Sequence, residues 1–262
     1  MGVFKIEVSN MSFFLFSPLE QFEVRVLKPM TFIRLDVSFT VMSLFLLLAI
    51  SCAFGFLYFG GSYKVFLVPT PLQSIVELSY RFLYGMLYQQ AGSKASFFFP
   101  LIFVTFFFIL SSNVIGLLAF SFTPTSHILI TFFLAFSFNF CFLYFGFAWH
   151  KLRFLKLFVP SGVPRSLLPL MISIEVLSYL IRTISLSVRL FANMLAGHTL
   201  LFIFASFVRG LLRTSFLKIL AVVPFCFLFA IFVLEIGIAF LQSYVFVLLL
   251  CIYLKDSLSP GH

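Results

Sequence analysis

The chain has 262 residues, of which 62% are hydrophobic and only 10% are charged, and its formal net charge is +9. Soluble domains carry about 25% charged residues. No soluble core could bury so much apolar surface, so the composition excludes a soluble protein and predicts an integral membrane protein that forms one membrane domain over residues 1–262. The basic residues flank hydrophobic runs and form no continuous stripe, which argues against nucleic acid as a partner.

One predicted span follows the first residues of the chain. Residues 1–36 form an N-terminal segment, part of which could be a short leader that is removed. Residues 37–63 contain no Asp, Glu, Lys or Arg, which predicts the first spanning helix. Residues 69–91 combine an apolar stripe with Glu77 and Arg81, four positions apart, so we predict an amphipathic helix at the membrane interface. A plain connecting helix is the alternative.

The next segment, residues 95–150, lacks all four charged residue types and is long enough for two spans. Pro124 interrupts it, and the sequence "FTPTSH" around this proline predicts the turn of a helical hairpin.

Residues 166–255 predict two unusually long helices. No proline occurs from 171 to 223, and a helix over about 38 residues would measure roughly 57 Å, whereas a bilayer core is about 30 Å thick. We therefore predict a long, steeply tilted antiparallel hairpin. The predicted fold class is an all-α integral membrane protein with about five membrane-embedded helices and one interfacial amphipathic helix.

Polar residues are placed regularly on the first of these two helices. Glu175, Arg182 and Arg189 are spaced by seven, so they share one stripe, and Asn193 lies almost on it. An arginine at the centre of a membrane helix costs about 2.5–3.5 kcal/mol on insertion scales, so it must face protein, water or a counter-charge. Arg189 therefore predicts a functional site. Arg182 has an equally plausible structural role in an ion pair, and Asn193 one in helix packing.

Further polar groups stand in or near the last helix. Glu235 and Gln242 are also seven apart, and Glu235 is hard to explain structurally in so apolar a run. His198 faces roughly away from Arg189 and could serve a packed interface. No second histidine follows His198 at ligand spacing, so we predict no metal site and no cofactor.

Several stretches resemble a known family. "SLSVRLFANMLAGH", residues 185–198, closely resembles the signature of subunit a of the F-type ATP synthase membrane sector. "LEIGIAFLQSYVFVLLLCIYL", residues 234–254, resembles the last helix of that family. "SPLEQFEV", "SSNVIGLLAFSFTPTSH" and "PSGVPRSLLP" resemble its mitochondrial branch.

The resemblance implies a stator subunit that forms two offset proton half-channels at the interface with the c-ring and couples proton flow to rotation. The resemblance also implies that this subunit makes no ATP itself. The implied arginine facing the rotor is Arg189. The positions implied to take part in proton translocation are Arg189, Glu235, His198, Asn193, Gln242, Glu175, Arg182 and Asp256. Glu235 and His198 would line the channel from the intermembrane space, and Glu175 and Asp256 the channel to the matrix.

The resemblance also implies partners and a location. The partners are the c-ring with its carboxylates, the peripheral stalk and other membrane-sector subunits, the lipid bilayer and protons. The location is the mitochondrial inner membrane. Two alternatives remain: a secondary transporter, although no internal repeat is visible, and a structural anchor of a respiratory complex.

Overall fold

The computed structural model describes residues 22–29, 31–32, 35–36, 38–61, 69–117, 122–151, 154, 167–213 and 221–258. Most of the predicted N-terminal segment and most of the loop between residues 151 and 166 lie outside these ranges.

Helices dominate the described part of the chain. They are α1 (Val41–Gly61), α2 (Pro71–Ala91), α3 (Phe99–Gly116), α4 (Ile128–His150), α5 (Leu168–Arg213) and α6 (Val222–Leu258), with 3₁₀ helices at Ser93–Phe98 and Pro124–Ser126. Five helical stretches are long and apolar enough to cross a membrane, and α2 is not among them. This confirms the predicted all-α membrane fold with five spans.

Within residues 22–40, as far as they are described, four short strands precede α1, and they were not predicted from the sequence. They are β1 (Val26–Lys28), β2 (Thr31–Phe32), β3 (Leu35–Asp36) and β4 (Phe39–Thr40). β1 pairs antiparallel with β4, and β2 with β3. Thr40 and Ser43 then exchange backbone-to-side-chain hydrogen bonds, which satisfies donors at the start of α1 as in a capping box.

The amphipathic helix α2 has clear start and stop signals. Thr70 accepts a hydrogen bond from the Gln73 backbone N–H, and Pro71 occupies the first turn, where its missing N–H costs nothing. The helix ends at Gly92, whose φ of 75° favours glycine.

One face of α2 is buried against α1 and α6. Its buried residues are Val76, Leu83, Met86 and Leu87, which recur at helical spacing. Glu77 accepts a hydrogen bond from the Gln73 side chain at 2.9 Å. Among the described residues, no ion pair joins Glu77 to Arg81, which lies one turn downstream.

Helix α3 lies at the centre of the bundle and contacts α1, α2 and α6. Ile102 and Ile109 are fully buried, and Phe106 packs edge-on against Phe240 of α6. The outer helices instead expose large apolar side chains, such as Phe54 on α1 and Phe133 on α4. Such surfaces suit lipid as the solvent.

Helices α5 and α6 exceed the thickness of a membrane. They contain 46 and 37 residues, or about 69 Å and 56 Å at 1.5 Å per residue, against a core of about 30 Å. α5 begins at Leu168, before Pro169, and α6 begins just before Pro224. Both prolines stand in a first turn, where the helix loses no hydrogen bond.

Buried hydroxyl and amide groups join α4 to α5. Thr131 and Ser187 are hydrogen-bonded at 3.3 Å, and the Asn139 amide donates to Thr183. The two contacts are eight residues apart on α4 and four apart on α5, about 12 Å and 6 Å of helix. As the contact moves toward the end of α4, its partner moves toward the start of α5, so the two helices are antiparallel.

Candidate functional site

The polar side chains of the long hairpin meet along one seam between α5 and α6. Residues successively later in α5 contact residues successively earlier in α6. Arg182 contacts Asp256, Asn193 contacts Gln242, and Gly197 lies against Glu235. An antiparallel hairpin requires this order, and it spreads the polar groups along most of the membrane depth.

Arg189 lies in an open groove between the two helices. The groove has a volume of about 640 Å³, and Arg182 and Ser185 line it together with apolar residues of α6 such as Val245 and Leu249. Arg189 is exposed in the isolated subunit. It forms no hydrogen bond or ion pair with the residues that the structure describes. A guanidinium in a membrane helix requires a counter-charge or water, so this groove is open to a partner.

Arg182 forms an ion pair with Asp256. The atoms Nη1 and Oδ2 are 3.4 Å apart, and both side chains are about a third exposed. The guanidinium also lies 5.8 Å from the ring centroid of Tyr253, a distance typical of a cation–π contact. Glu175 is near enough to Asp256 to interact with it electrostatically. These residues form a charged cluster toward the start of α5.

Glu235 is buried in α6 with only 6% of its surface exposed. Neither carboxylate oxygen has a hydrogen-bond partner among the described residues. Gly197 makes the position possible, because a β-carbon there would overlap Oε1 of Glu235. A buried carboxyl without a protein partner is costly, so the site suits a group that exchanges protons with water.

His198 follows Gly197 and faces the other side of the same region. Its Nε2 atom is buried without a partner in the described part of the chain. Its ring meets the ring of Phe22 edge-on, with centroids 6.2 Å apart. His198 and Glu235 thus occupy one end of the hairpin but are not directly hydrogen-bonded to each other.

Asn193 and Gln242 link the helices between these two ends. The Asn193 amide donates to the Gln242 side-chain oxygen at 3.0 Å. Gln242 is almost fully buried, and its Nε2 has no partner among the described residues. The amide pair therefore both packs the helices and offers a free donor inside the hairpin.

Asn113 of α3 belongs to the same polar region, although the sequence analysis did not single it out. Its side chain is fully buried, its Nδ2 lies 3.5 Å from the Ala239 carbonyl oxygen, and its Oδ1 accepts from Thr125 at 3.1 Å. It joins α3, α6 and the 3₁₀ turn before α4. The available signal was an amide within a charge-free run, where polar groups are functional by default.

Comparison with known proteins assigns the family. The family model for the ATP synthase A chain matches residues 40–255. The chain is 48% identical over 246 residues to ATP synthase subunit a of Chelativorans sp. strain BNC1, covering 94% of this chain and 98% of that protein. It is 47% identical to that of Rhizobium meliloti strain 1021, with 93% and 98% covered, and 46% identical to that of Agrobacterium fabrum, with 94% and 98% covered. The chain therefore belongs to the ATP synthase subunit a family, the proton-translocating stator subunits of the F-type enzymes.

Proposed function

We propose that the chain forms two offset proton half-channels against a c-ring and that Arg189 separates them. The observation that carries this proposal is an exposed arginine in an open groove of a membrane hairpin, with unpaired polar groups toward one end and a charged cluster toward the other. Membership of the family already places other membrane-sector subunits of the ATP synthase beside the chain. The c-ring as the occupant of the groove and a contact with the peripheral stalk are parts of the proposal.

Glu235 and His198 line the first half-channel, which opens to the intermembrane space. Supporting this, the carboxylate oxygens and the imidazole Nε2 are buried and lack partners in the described ranges. Water is the partner that can satisfy both groups. A histidine titrates near neutral pH, and a carboxylate relays protons within membranes. Asn193 and Gln242 continue this polar surface toward Arg189.

The second half-channel leads to the matrix past Glu175 and Asp256. Support comes from the partial exposure of Arg182 and Asp256 and from the proximity of Glu175 to Asp256. Here Arg182 holds the Asp256 carboxylate by an ion pair. Because the Asp256 side chain is partly exposed, a proton that reaches it from the rotor can pass to water.

Arg189 acts as an electrostatic gate between the two paths. A fixed positive charge favours the ionised form of an approaching rotor carboxylate, so that carboxylate releases its proton before passing the gate. The same charge repels hydronium and prevents a direct leak between the channels. Each proton that moves down the membrane potential releases about 2.3 kcal/mol of free energy per 100 mV, and this free energy drives the rotation.

The long hairpin suits a cylindrical partner. Because α5 and α6 exceed the bilayer thickness, a strong tilt would lay the hairpin across several rotor helices. The groove would then follow the rotor surface at the depth of its carboxylates.

Cross-linking from the groove tests the identity of its occupant. A photoreactive residue at Ile181, which is exposed on the groove wall, is expected to form an adduct with the c subunit in the intact complex. The matched control is Phe133, exposed on α4 outside the groove, which should react with lipid or other subunits. Equal c-subunit adducts from both positions, or none from Ile181, would contradict the proposal.

We also propose that the protein belongs to the mitochondrial branch and resides in the inner membrane. The support is the resemblance of the N-terminal and loop stretches and the 43 phenylalanines, a bias expected of an AT-rich organellar genome. The relatives named above are bacterial. Retention of the protein in the inner-membrane fraction of mitochondria after carbonate extraction is the expected result, and recovery from a bacterial plasma membrane would overturn this assignment.

A further inference from the structure

A second histidine lies near His198, although it is far away in sequence. His127 stands between the 3₁₀ turn Pro124–Ser126 and the start of α4. Its imidazole is hydrogen-bonded to the backbone of Phe22, and the ring of the same Phe22 meets His198 edge-on. The ring of Phe122 stacks on His127, with centroids 5.1 Å apart. Phe22 therefore touches both imidazoles, and Phe122 holds one of them in place.

The turn before His127 packs directly against the site of His198. Residues 122–126 are buried, and the turn contacts α3, α4 and α5. A β-carbon on Gly116 would overlap the methyl group of Thr123 and would lie 3.5 Å from Nε2 of His198. Thr123 and His198 thus meet above a glycine whose missing side chain makes room for both.

Unpaired polar atoms connect these residues. Thr123 Oγ1, His127 Nε2, His198 Nε2 and both Glu235 oxygens are buried without hydrogen-bond partners in the described part of the chain. Leaving one such group unsatisfied costs about 1–3 kcal/mol. Water is the partner that can satisfy buried polar atoms of this kind. The clustering therefore indicates a hydrated path from the loop before α4 to Glu235.

Among the residues that the structure describes, few titratable groups surround His127. His198 faces this region from α5 and Glu235 from α6, while Glu23 and Arg25 flank Phe22 in the chain. α1 and α3 contain no Asp, Glu, Lys, Arg or His, and in α4 the remaining histidine is His150 at the opposite end. Burial lowers the pKa of His127, and its hydrogen bond to Phe22 opposes this shift. At neutral pH the imidazole is therefore neutral, with the Nε2 lone pair free to accept a proton.

We propose that His127 is an outer proton relay that passes protons to His198 and Glu235. Nε2 accepts a proton from water on the outer side, forming an imidazolium, and then returns that proton to the water on the inner side. The other ring nitrogen keeps its proton throughout, so the imidazole is unchanged after each transfer. This inference rests on the proposed function, because it adds an earlier step to the first half-channel.

Substitution of His127 in the complete ATP synthase, reconstituted in vesicles, tests the relay. His127→Gln can keep a hydrogen bond to Phe22 but cannot carry a proton, and we expect proton-driven ATP synthesis to fall about fivefold to tenfold. In His127→Ala, ATP synthesis should fall by a similar factor, and it should recover when imidazole is added on the outer side. The matched control is His150→Gln at the other end of α4, where the ring contacts the Leu258 carbonyl oxygen, and its rate should stay normal.

Two results would overturn the relay. One is a normal rate for His127→Gln. The other is a slow His127→Ala enzyme that imidazole does not restore, which would indicate a structural role. Arg189→Ala in the same preparation separates the two levels of inference. If it loses synthesis while His127→Gln is normal, only the relay fails; if it keeps synthesis, the half-channel proposal itself fails.

Discussion

Replacing Arg189 by alanine is expected to abolish proton-driven ATP synthesis, with a loss of at least about a hundredfold, or about 2.7 kcal/mol. In the proposed function, the substitution removes the fixed charge that would favour ionisation of a passing rotor carboxylate and would block a direct proton leak. Assembly should largely persist, because Arg189 is exposed in the isolated subunit and makes no polar contact with the described residues. ATP synthesis in vesicles and the yield of intact complex are the two measurements.

The matched control for this experiment lies on the same helix. Arg209 is also exposed, and its guanidinium donates to the Ala205 carbonyl oxygen, away from the groove. Arg209→Ala should leave synthesis close to normal. Near-normal synthesis by Arg189→Ala would remove the gate from the mechanism. Loss of the assembled complex in that variant would instead show that Arg189 is needed for assembly, as expected if the protein is a structural anchor.

The second large effect is expected for Glu235→Gln. The amide has nearly the same shape as the carboxyl but can neither gain nor lose the transferred proton, so we expect proton flux through the membrane sector to fall about tenfold. Flux should be measured between about pH 5 and pH 8, the range in which an unperturbed histidine changes its charge. Unchanged flux across this range would reject Glu235 as a relay.

Gly197 allows a steric test of the same carboxyl. A β-carbon at Gly197 would overlap Oε1 of Glu235, and the carboxyl is the flexible end of its side chain, so it should move while the helices stay in place. Gly197→Ala is therefore expected to slow proton flux without loss of assembly. In Gly237→Ala the new β-carbon meets no atom within 4 Å, so this variant serves as the control. Equal flux in the two variants would mean that the carboxyl position does not limit transfer.

The helices could be predicted because lipid imposes a strong and simple requirement. A span must be long, apolar and internally hydrogen-bonded, and the charge-free runs 37–63 and 95–150 reveal this directly. The short strands before α1 escaped prediction, because two- and three-residue pairings carry almost no periodic signal. The partner of Glu77 escaped for a similar reason, since Gln73 and Arg81 are equally placed on one helix face.

Residues of the candidate site could be picked out from the sequence where polar groups are costly. Arg189, Glu235 and His198 stand out in apolar helices, since a charge or imidazole in lipid needs a specific reason. Asn113 and His127 gave weaker signals, because a neutral amide and a histidine in a turn cost less free energy in a membrane protein than a buried charge. Their places beside Ala239, Thr125 and Phe22 depend on contacts between segments far apart in the chain.

The sequence alone determined the membrane class, the five spans, the overlong hairpin and the helix that places Arg182, Arg189 and His198 within an apolar run, because each follows from hydropathy and local spacing. Only the tertiary structure decided which helices meet, that Arg182 is paired while Arg189 is exposed, and that Gly197 admits Glu235. The physical reason is that lipid-facing and buried helix faces are almost equally apolar. Which face packs inward is therefore set by small residues and hydrogen bonds between distant segments.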